Sequence, residues 1–312
     1  MFAFVLSWLA SIPTFSLPYA LAALGLIISE RAGVLNLAAE GLMLVGALSA
    51  VGSILSFGVD PSGSLVAAAG AAAIVSLIFA VLTILLRVNQ VIVGLAMVFF
   101  CQGLTSLLGE QLNWSNRVVS ALPRPYLGWL GELPIVGRIL TEQDVLMFAA
   151  VPLVACVFHV LFKTNIGLRL RSVGENPEAA DAMGVGVLST RFGAVVVGSA
   201  LLGLAGAYIS VGSARIWVDD MTSGRGWIAI ALVIFSRWRP WRALGGALLF
   251  GGIEALIPKL AASGVRLPQY LVMMTPYLAT LVVMIWMAAA KRNSPPDEPG
   301  ALGRPYVREE RR

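Results

Sequence analysis

Long apolar runs separated by short polar loops constrain this chain more than any other feature. One run extends from about Val145 to Phe162, and another from about Phe192 to Val211. A membrane-spanning helix needs about 20 mostly apolar residues to cross about 30 Å of hydrocarbon. Charged residues make up only 12% of the chain, which is about half the share usual in a soluble domain. The sequence therefore predicts an all-α, polytopic membrane helix bundle.

The apolar runs predict about nine transmembrane helices, within a range of roughly eight to ten. Pro13 and Pro18 interrupt the first run, which is therefore one kinked span or a surface segment followed by a span. We expect residues 1–290 to form the membrane domain and the charged, Pro-rich residues 291–312 to be disordered. The approximate bounds of the runs are 2–28, 34–57, 64–86, 91–108, 145–162, 192–211, 227–235, 243–257 and 270–290.

Basic residues at the ends of the runs predict the orientation. They occur at Arg87, in the loop 163–191, between Arg237 and Arg242, and from Lys291 onward. Cytoplasmic loops carry an excess of Lys and Arg, so these segments are expected on the cytoplasmic side. Nine spans would then place the N-terminus outside, whereas ten would place it inside. The net charge of +5 is accounted for by this topology, and no nucleic-acid partner is expected.

The composition also excludes several kinds of site. His159 is the only histidine, so a metal site with several histidines is excluded. Cys101 and Cys156 both lie in apolar runs and are expected to be free thiols. No Gly-x-x-x-x-Gly-Lys-[Ser/Thr] phosphate loop occurs in the sequence. We therefore expect neither a catalytic site nor a bound cofactor on this chain.

The loop 163–191 contains the pattern of a helix start. Asn176 is a typical capping residue, Pro177 suits the first turn, and Glu178 favours the positive end of a helix dipole. Gly184 then ends the helix or turns the chain sharply. A short helix with small alanines would fit a groove of a partner protein. The alternative is a solvated loop that only joins two spans.

Asn36 and Glu40 form a polar pair inside the second run. At positions i and i+4 they would share one face of a helix. A charged side chain in the middle of a bilayer costs about 2.5–3.5 kcal/mol, so it usually faces a cavity or a partner. One interpretation is a discontinuous helix that lines a pathway. The other is an ion pair, with Arg31 as a candidate, that only fixes packing.

Gly224, Gly226 and Trp227 form a second unusual segment, at the start of the short apolar run. Glycines next to a Trp suit a stacking surface for a planar base or a sugar face. An interfacial Trp beside a turn is the alternative. Glu254, in a later run, is either a pathway residue or the partner of a basic residue near the end of its span.

Taken together, these segments resemble permeases of bacterial ABC transporters. The pattern Glu178-Ala179-Ala180-x-x-x-Gly184 matches the first half of their EAA motif, but Ala194 stands where the Ile of the second half would be. This departure points to the ribose, nucleoside and branched-chain amino-acid type. Residues 30–41 and 224–231 resemble motifs of the nucleoside and simple-sugar permeases. The coupling-loop resemblance is carried by Arg171, Gly174, Glu175, Asn176, Glu178, Ala179, Ala180 and Gly184.

The resemblance implies a permease subunit of an ATP-driven importer in the bacterial inner (plasma) membrane, with nucleosides or simple sugars as substrates. ATP and Mg²⁺ would bind a cytoplasmic ABC ATPase that docks on the residues 163–191. The other implied partners are a second permease subunit, an extracytoplasmic substrate-binding protein and membrane lipid. The substrate path is expected to include Asn36, Glu40, Gly224, Gly226 and Trp227.

Two rival functions remain open at this point. A branched-chain amino-acid permease would need a partner for the substrate carboxylate, such as a helix N-terminus or Arg225. An ion-coupled secondary carrier would work without an ATPase and would use intramembrane acids as relays. The coupling loop disfavours the carrier, because a carrier that works alone has no ATPase to dock.

Overall fold

The computed structural model describes residues 2–126, 128, 137, 141, 143–262, 274–275, 278–282, 285 and 298–307. No β-strand occurs among these residues, which confirms the all-α prediction. The helices are α1 (Phe2–Arg31), α2 (Ala39–Phe57), α3 (Pro61–Ala80), α4 (Gln90–Gln111), α5 (Val145–Lys163), α6 (Asn165–Glu175), α7 (Pro177–Ala182), α8 (Val187–Ala207), α9 (Arg225–Ser236) and α10 (Pro240–Ala262). The π-helical segments Val81–Leu85 and Tyr208–Ala214 continue α3 and α8.

Within the described part of the chain, seven helices are long and apolar enough to cross a membrane. They are α1, α2, α3, α4, α5, α8 and α10, with α3 and α8 counted together with their π-helical continuations. Helix α9 is apolar but has only 12 residues. The polytopic bundle is thus confirmed, whereas the predicted number of about nine spans is not. The last predicted span, 270–290, falls mostly outside the described residues.

Pro13 and Pro18 do not divide the first span. Helix α1 runs through both as one helix of 30 residues. Neighbouring helices and local adjustments allow a spanning helix to tolerate proline, and α1 packs against α8, α9 and α10. Of the two alternatives, the single span is therefore correct.

Small residues bring the central helices α1, α2 and α8 together. Gly25 of α1 lies against Gly198 of α8, and Gly46 of α2 lies against Gly203 of the same helix. A Cβ atom on Gly46 would lie 2.5 Å from the Cα atom of Gly203, so the crossing requires glycine. Small residues let helix backbones approach closely where lipid removes the hydrophobic driving force. These crossings hold the core of the bundle.

Two non-helical segments interrupt the bundle. The first, residues 32–38, connects α1 to α2 and is called the α1–α2 elbow below. The second, residues 215–224, precedes α9. The predicted second span, 34–57, is therefore helical only from Ala39. The prediction that Asn36 and Glu40 share a helix face is wrong, because Asn36 lies outside the helix. The physical reason is local, because Gly33 has a φ of +86° and the Oδ1 atom of Asn36 accepts a hydrogen bond from the N–H of Ala38 at 3.2 Å.

The basic ends of the helices converge at one end of the bundle. The guanidinium of Arg31 lies 5.7 Å from the ring centroid of Phe162, and that of Arg171 lies 5.1 Å from the same ring. The Nε–H of Arg31 also donates to the carbonyl of Trp238 at 3.4 Å. Because Lys and Arg prefer cytoplasmic loops, we expect this end on the cytoplasmic side and call it the cytoplasmic end below. Helices α6 and α7 lie here.

The C-terminal tail is not disordered throughout. The N–H of Ala301 donates to the carbonyl of Gly174 at 2.9 Å, and the N–H of Gly303 donates to that of Gly33 at 3.2 Å. Tyr306 is only 7% exposed. The prediction of disorder for residues 291–312 is therefore wrong for 298–307, because small and aromatic side chains within this polar stretch find a buried site. The rest of that range lies outside the described residues.

Candidate functional site

Glu40, in the first turn of α2, binds the second non-helical segment and the start of α9. Its carboxylate accepts hydrogen bonds from the hydroxyl of Thr222 at 2.5 Å and from the backbone N–H groups of Gly224 at 2.7 Å and Gly226 at 2.6 Å. The first N–H groups of a helix have no partner within the helix, and a negative charge at that end is favourable. Glu40 therefore acts as a cap for α9, supplied from the start of α2.

Glu40 does not form the ion pair with Arg31 that one interpretation of the sequence proposed. Arg31 lies at the cytoplasmic end beside Phe162 and Trp238, whereas Glu40 binds the start of α9. Asn36 is fully buried in the α1–α2 elbow, and its Oδ1 atom supports the turn that leads into α2. Its side-chain nitrogen has no hydrogen-bond partner within the described residues. Of the predicted path residues, Glu40, Gly224 and Gly226 are joined by hydrogen bonds in which Asn36 takes no part.

The cap lies deep in the bundle. Gly41, next to Glu40, packs against Val98 of α4. Val98 follows Gln90, the first residue of α4, by about 12 Å of helix at 1.5 Å per residue. Gln90 in turn accepts a hydrogen bond from the N–H of Leu35 in the elbow at 2.7 Å. Glu40 thus lies about 12 Å along the bundle from the start of α4, compared with about 30 Å for the whole hydrocarbon layer.

A cavity of about 750 Å³ opens beside the cap of α9. Sites for small molecules usually have about 300–1,000 Å³ and combine an apolar wall with a few placed polar groups. Phe15, Leu44 and Phe99 supply apolar wall. The polar lining consists of Tyr19, Glu40, Gln102, Asp220, Ser223, Arg225 and Glu254, and Trp227 adds a further aromatic ring. The cavity can thus offer both stacking and hydrogen bonds to a ligand.

Arg225 and Glu254 form an ion pair in the wall of this cavity. The hydroxyl of Tyr19 donates to the second carboxylate oxygen of Glu254 at 2.7 Å. The Nη1 atom of Arg225 donates a hydrogen bond to the carbonyl of Met221 at 3.1 Å. The two charged side chains are 22% and 14% exposed, so water screens the pair only in part. Glu254 therefore neutralises the positive charge that Arg225 brings to the cavity.

The second candidate site is the short helix α7 at the cytoplasmic end. The Oδ1 atom of Asn176 accepts a hydrogen bond from the N–H of Ala179 at 2.9 Å, and Pro177 occupies the first turn. The helix has six residues. Gly184, with a φ of +81°, follows its end in the left-handed conformation that glycine adopts readily. The predicted start and end of this helix are confirmed.

The two faces of α7 differ in exposure. Glu178 and Ala179 are exposed, whereas Ala180 is buried beside Val173 and Val187. An exposed face on a well-supported short helix is available for contact with another protein. The geometry is therefore compatible with the predicted docking of a partner on this helix.

The remaining predicted coupling residues, Arg171, Gly174 and Glu175, lie on α6. Arg171 stacks on Phe162. Gly174 lies directly against the carbonyl of Arg31, where any side chain would collide. The Oε2 atom of Glu175 accepts a hydrogen bond from the N–H of Gly300 at 3.2 Å. Arg171 and Gly174 therefore face the bundle, whereas Glu175 is exposed and contacts the C-terminal tail.

Sequence reasoning missed part of the cavity. It considered Glu254 and Arg225 separately, but did not pair them. Tyr19 and Gln102 gave no signal, because each is a single polar group inside an apolar run. Thr222 was also missed, although it lies two residues before Gly224 in the polar segment that was singled out. Only the packing of α1, α4, α9 and α10 brings these groups to one place.

Residues 8–290 match the protein family described as branched-chain amino acid transport system / permease component. A provisionally named glucose ABC transporter permease, TsgC13, from Haloferax volcanii is 39% identical over 93% of this chain and 94% of its own length. The guanosine ABC transporter permease NupQ from Bacillus subtilis is 34% identical, with 95% of each chain covered. The nucleoside ABC transporter permease NupC from Lactococcus lactis is 32% identical over 88% of this chain and 90% of its own length.

Each of these three organisms also has a second, more distant relative of this chain. The three additional proteins are 25–26% identical over 71–80% of this chain. Each carries the same kind of ABC transporter permease name as its closer counterpart. In all three organisms, two related permeases are thus named for the same kind of transport.

Proposed function

The chain belongs to the family of branched-chain amino acid transport system permease components, and we propose that it conducts nucleosides or simple sugars past the cavity beside Glu40. It is a permease subunit of an ABC transporter and a multi-pass protein of the inner (plasma) membrane. The family description names amino acids, whereas three similar proteins are named for glucose, guanosine and nucleosides. The chemistry of the cavity supports the second substrate class, nucleosides and sugars.

The occupied anion sites in the cavity carry the proposal. A zwitterionic amino acid needs a partner for its carboxylate, such as an arginine or a helix N-terminus. Arg225 already pairs with Glu254. The N–H groups at the start of α9 already bind Glu40. Both groups that would favour a free carboxylate are therefore neutralised by carboxylates of the chain itself.

A neutral polyhydroxyl substrate fits the groups that remain. Trp227 lines the cavity and offers a flat face, and aromatic rings stack on every nucleobase. Gln102 and Asp220 line the same cavity and supply both donors and acceptors for hydroxyl groups. Few polar groups on a mostly apolar wall suit a path that releases its substrate easily. A nucleoside uses both kinds of contact, and a simple sugar uses the hydrogen bonds and one apolar face.

The non-helical segment 215–224 and the short helix α9 are the elements that would open and close this path. Helices that are discontinuous near the middle of the bilayer form the substrate sites of many transporters. Here residues 215–224 and the start of α9 meet the first turn of α2 at Glu40, and α9 carries Arg225 and Trp227. A rigid-body movement of α9 relative to α2 would change the shape of the cavity.

The partners follow from the same proposal. A cytoplasmic ATPase docks on the exposed face of α7, around Glu178 and Ala179, and an extracytoplasmic binding protein delivers the substrate. The second permease subunit is a different chain of the same family. The paired relatives in three organisms support a heteromeric pore. ATP and Mg²⁺ bind the ATPase and not this chain.

Uptake into proteoliposomes tests the proposed function. The vesicles would contain this chain with its co-purifying partners, and radiolabelled guanosine and glucose would be offered with and without internal ATP and external binding protein. We expect uptake that needs both, and that unlabelled nucleoside or sugar suppresses but leucine does not. Suppression by leucine would instead support the amino-acid alternative. Uptake by this chain alone, driven by an ion gradient, would identify a secondary carrier.

A further inference from the structure

Residues 298–307 cross the cytoplasmic end of the bundle and are called the C-terminal strap below. The N–H of Ala301 donates to the carbonyl of Gly174 in α6 at 2.9 Å. The N–H of Gly303 donates to the carbonyl of Gly33 in the α1–α2 elbow at 3.2 Å. The strap therefore binds two elements that are remote from each other in the sequence, and it does so through its backbone.

Arg191 of α8 strengthens the connection between the strap and the elbow by bonding to both. Its side chain is 2% exposed. Its Nη1 donates to the carbonyl of Arg304 at 2.9 Å, and its Nε–H donates to the carbonyl of Ala32 at 3.2 Å. One buried guanidinium thus holds the strap and the elbow together. Hydrogen bonds from a charged donor are among the stronger ones in proteins.

The far end of the strap supports the coupling helix. Tyr306 is 7% exposed and belongs to a small apolar cluster with Val173, Ala180 and Val187. Ala180 is the one buried residue of α7 among its six residues. A helix this short is not stable by itself, so its position depends on what lies beneath it. Tyr306 is a large part of that support, on the face opposite Glu178 and Ala179.

We propose that the C-terminal strap is a positioning element that transmits movement of α7 to the α1–α2 elbow, and through the elbow to Glu40 and the cavity. The proposal rests on the proposed function, in which an ATPase moves α7. The strap contacts Ala180 through Tyr306, and it contacts Gly33 through Gly303, three residues earlier. Helix α2 begins six residues after Gly33, and its residue Glu40 holds the start of α9. A shift of α7 therefore reaches Glu40 and the cavity through direct contacts and one short stretch of chain.

Uptake per ATP hydrolysed, measured in proteoliposomes of the complete transporter, tests this proposal. Two variants weaken the strap, namely Tyr306→Ala and a chain that ends at Asp297. Arg304→Ala is the matched control, because the Arg304 side chain is exposed and its contact with Arg191 uses the backbone carbonyl. We expect ATP hydrolysis to persist in both weakened variants, and uptake per ATP to fall roughly 5- to 10-fold, a typical size of coupling between sites. The control should match the wild type.

Two results would overturn the proposal. Unchanged uptake per ATP in Tyr306→Ala and in the shortened chain would show that the strap transmits nothing. Loss of the ATPase from the purified complex, in variants that still insert into the membrane, would show that the strap serves docking and not transmission.

Hydrogen exchange on the purified chain separates this proposal from the proposed function. With no ATPase present, Tyr306→Ala should speed amide exchange in both residues 177–184 and the elbow 32–38, relative to the wild type and to Arg304→Ala. Unchanged exchange in the elbow would sever the link between α7 and Glu40 and overturn the proposal. Failure of the wild-type complex to show ATP-dependent uptake would instead count against the proposed function, and the exchange result would still stand.

Discussion

The backbone N–H of Gly226 donates to the carboxylate of Glu40 at 2.6 Å, although 186 residues separate the two in the chain. The contact joins the first turn of α2 to the first turn of α9. Hydrogen bonds to charged groups contribute about 1.5–3 kcal/mol each. Arg225 and Trp227 are the two neighbours of Gly226 in the chain, and both line the cavity. Glu40 therefore sets the position of the residues that we assign to the substrate.

Replacing Glu40 by Gln should destabilise the protein while keeping the shape of the side chain. Gln has no charge for the start of α9, and its amide group can accept with only one of the two atoms that now accept. We expect a cost of about 2–3 kcal/mol, seen as a lower midpoint of thermal unfolding in detergent. The exposed Glu110 offers the control Glu110→Gln, which should unfold like the wild type. Equal midpoints for both variants would contradict the capping role.

Gly226→Ala tests the same contact from the other side. A Cβ atom at Gly226 would lie 2.6 Å from the Oε2 atom and the backbone nitrogen of Glu40, which is too close for either to remain in place. We expect lower thermal stability and loss of uptake. Among the described residues, none has an atom within 4 Å of a Cβ atom at Gly245 of α10, so Gly245→Ala should be neutral or stabilising by up to about 1 kcal/mol. A Gly226→Ala protein as stable and active as Gly245→Ala would be evidence against the close approach.

Trp227 should contribute to substrate passage by stacking. Trp227→Ala removes the flat face, and stacking of a base on an aromatic side chain is worth about 1–3 kcal/mol. The concentration of guanosine for half-maximal ATP-dependent uptake should therefore rise roughly 5- to 100-fold. Trp227→Phe keeps a smaller ring and should lie between the wild type and Trp227→Ala. Identical guanosine dependence in all three proteins would remove Trp227 from the path.

Glu254→Gln should change the preference of the cavity. The substitution leaves the guanidinium of Arg225 without its counter-charge, and an unpaired charge that is partly buried attracts an anion. Leucine, whose carboxylate then finds a partner, should begin to compete with guanosine uptake. The double variant Arg225→Gln/Glu254→Gln removes both charges and should restore resistance to leucine. Resistance to leucine in Glu254→Gln itself would refute the role given to this ion pair.

Glu178→Arg should abolish ATP-dependent uptake while the chain still inserts into the membrane. Glu178 is exposed on the outer face of α7, so the substitution reverses the charge that the ATPase meets without altering the fold. Glu178→Asp keeps the charge and should retain most of the uptake. Gly184→Pro should also fail, because proline cannot adopt the φ of +81° found there. Normal uptake in both Glu178→Arg and Gly184→Pro would exclude α7 as the coupling element.

Local signals explain what the sequence alone could determine. The apolar runs predicted spans because apolar length is a property of consecutive residues. Asn176, Pro177 and Gly184 predicted both ends of α7, because capping joins groups only a few residues apart. The polar segments around Glu40 and Gly224 were recognised as unusual for the same reason, since charge and glycine stand out in an apolar sequence.

Tertiary packing decided what those signals meant. Local turn geometry moved the start of α2 to Ala39, which separated Asn36 from the helix face of Glu40. Packing then paired Glu40 with the start of α9, and Arg225 with Glu254 and Tyr19. It also gave the apolar residues of the C-terminal strap a buried site beneath α7, where composition had predicted disorder. These contacts join residues that are far apart in the sequence, such as Tyr19 and Glu254, which 235 residues separate. No local pattern determines which distant partner a buried polar group will contact.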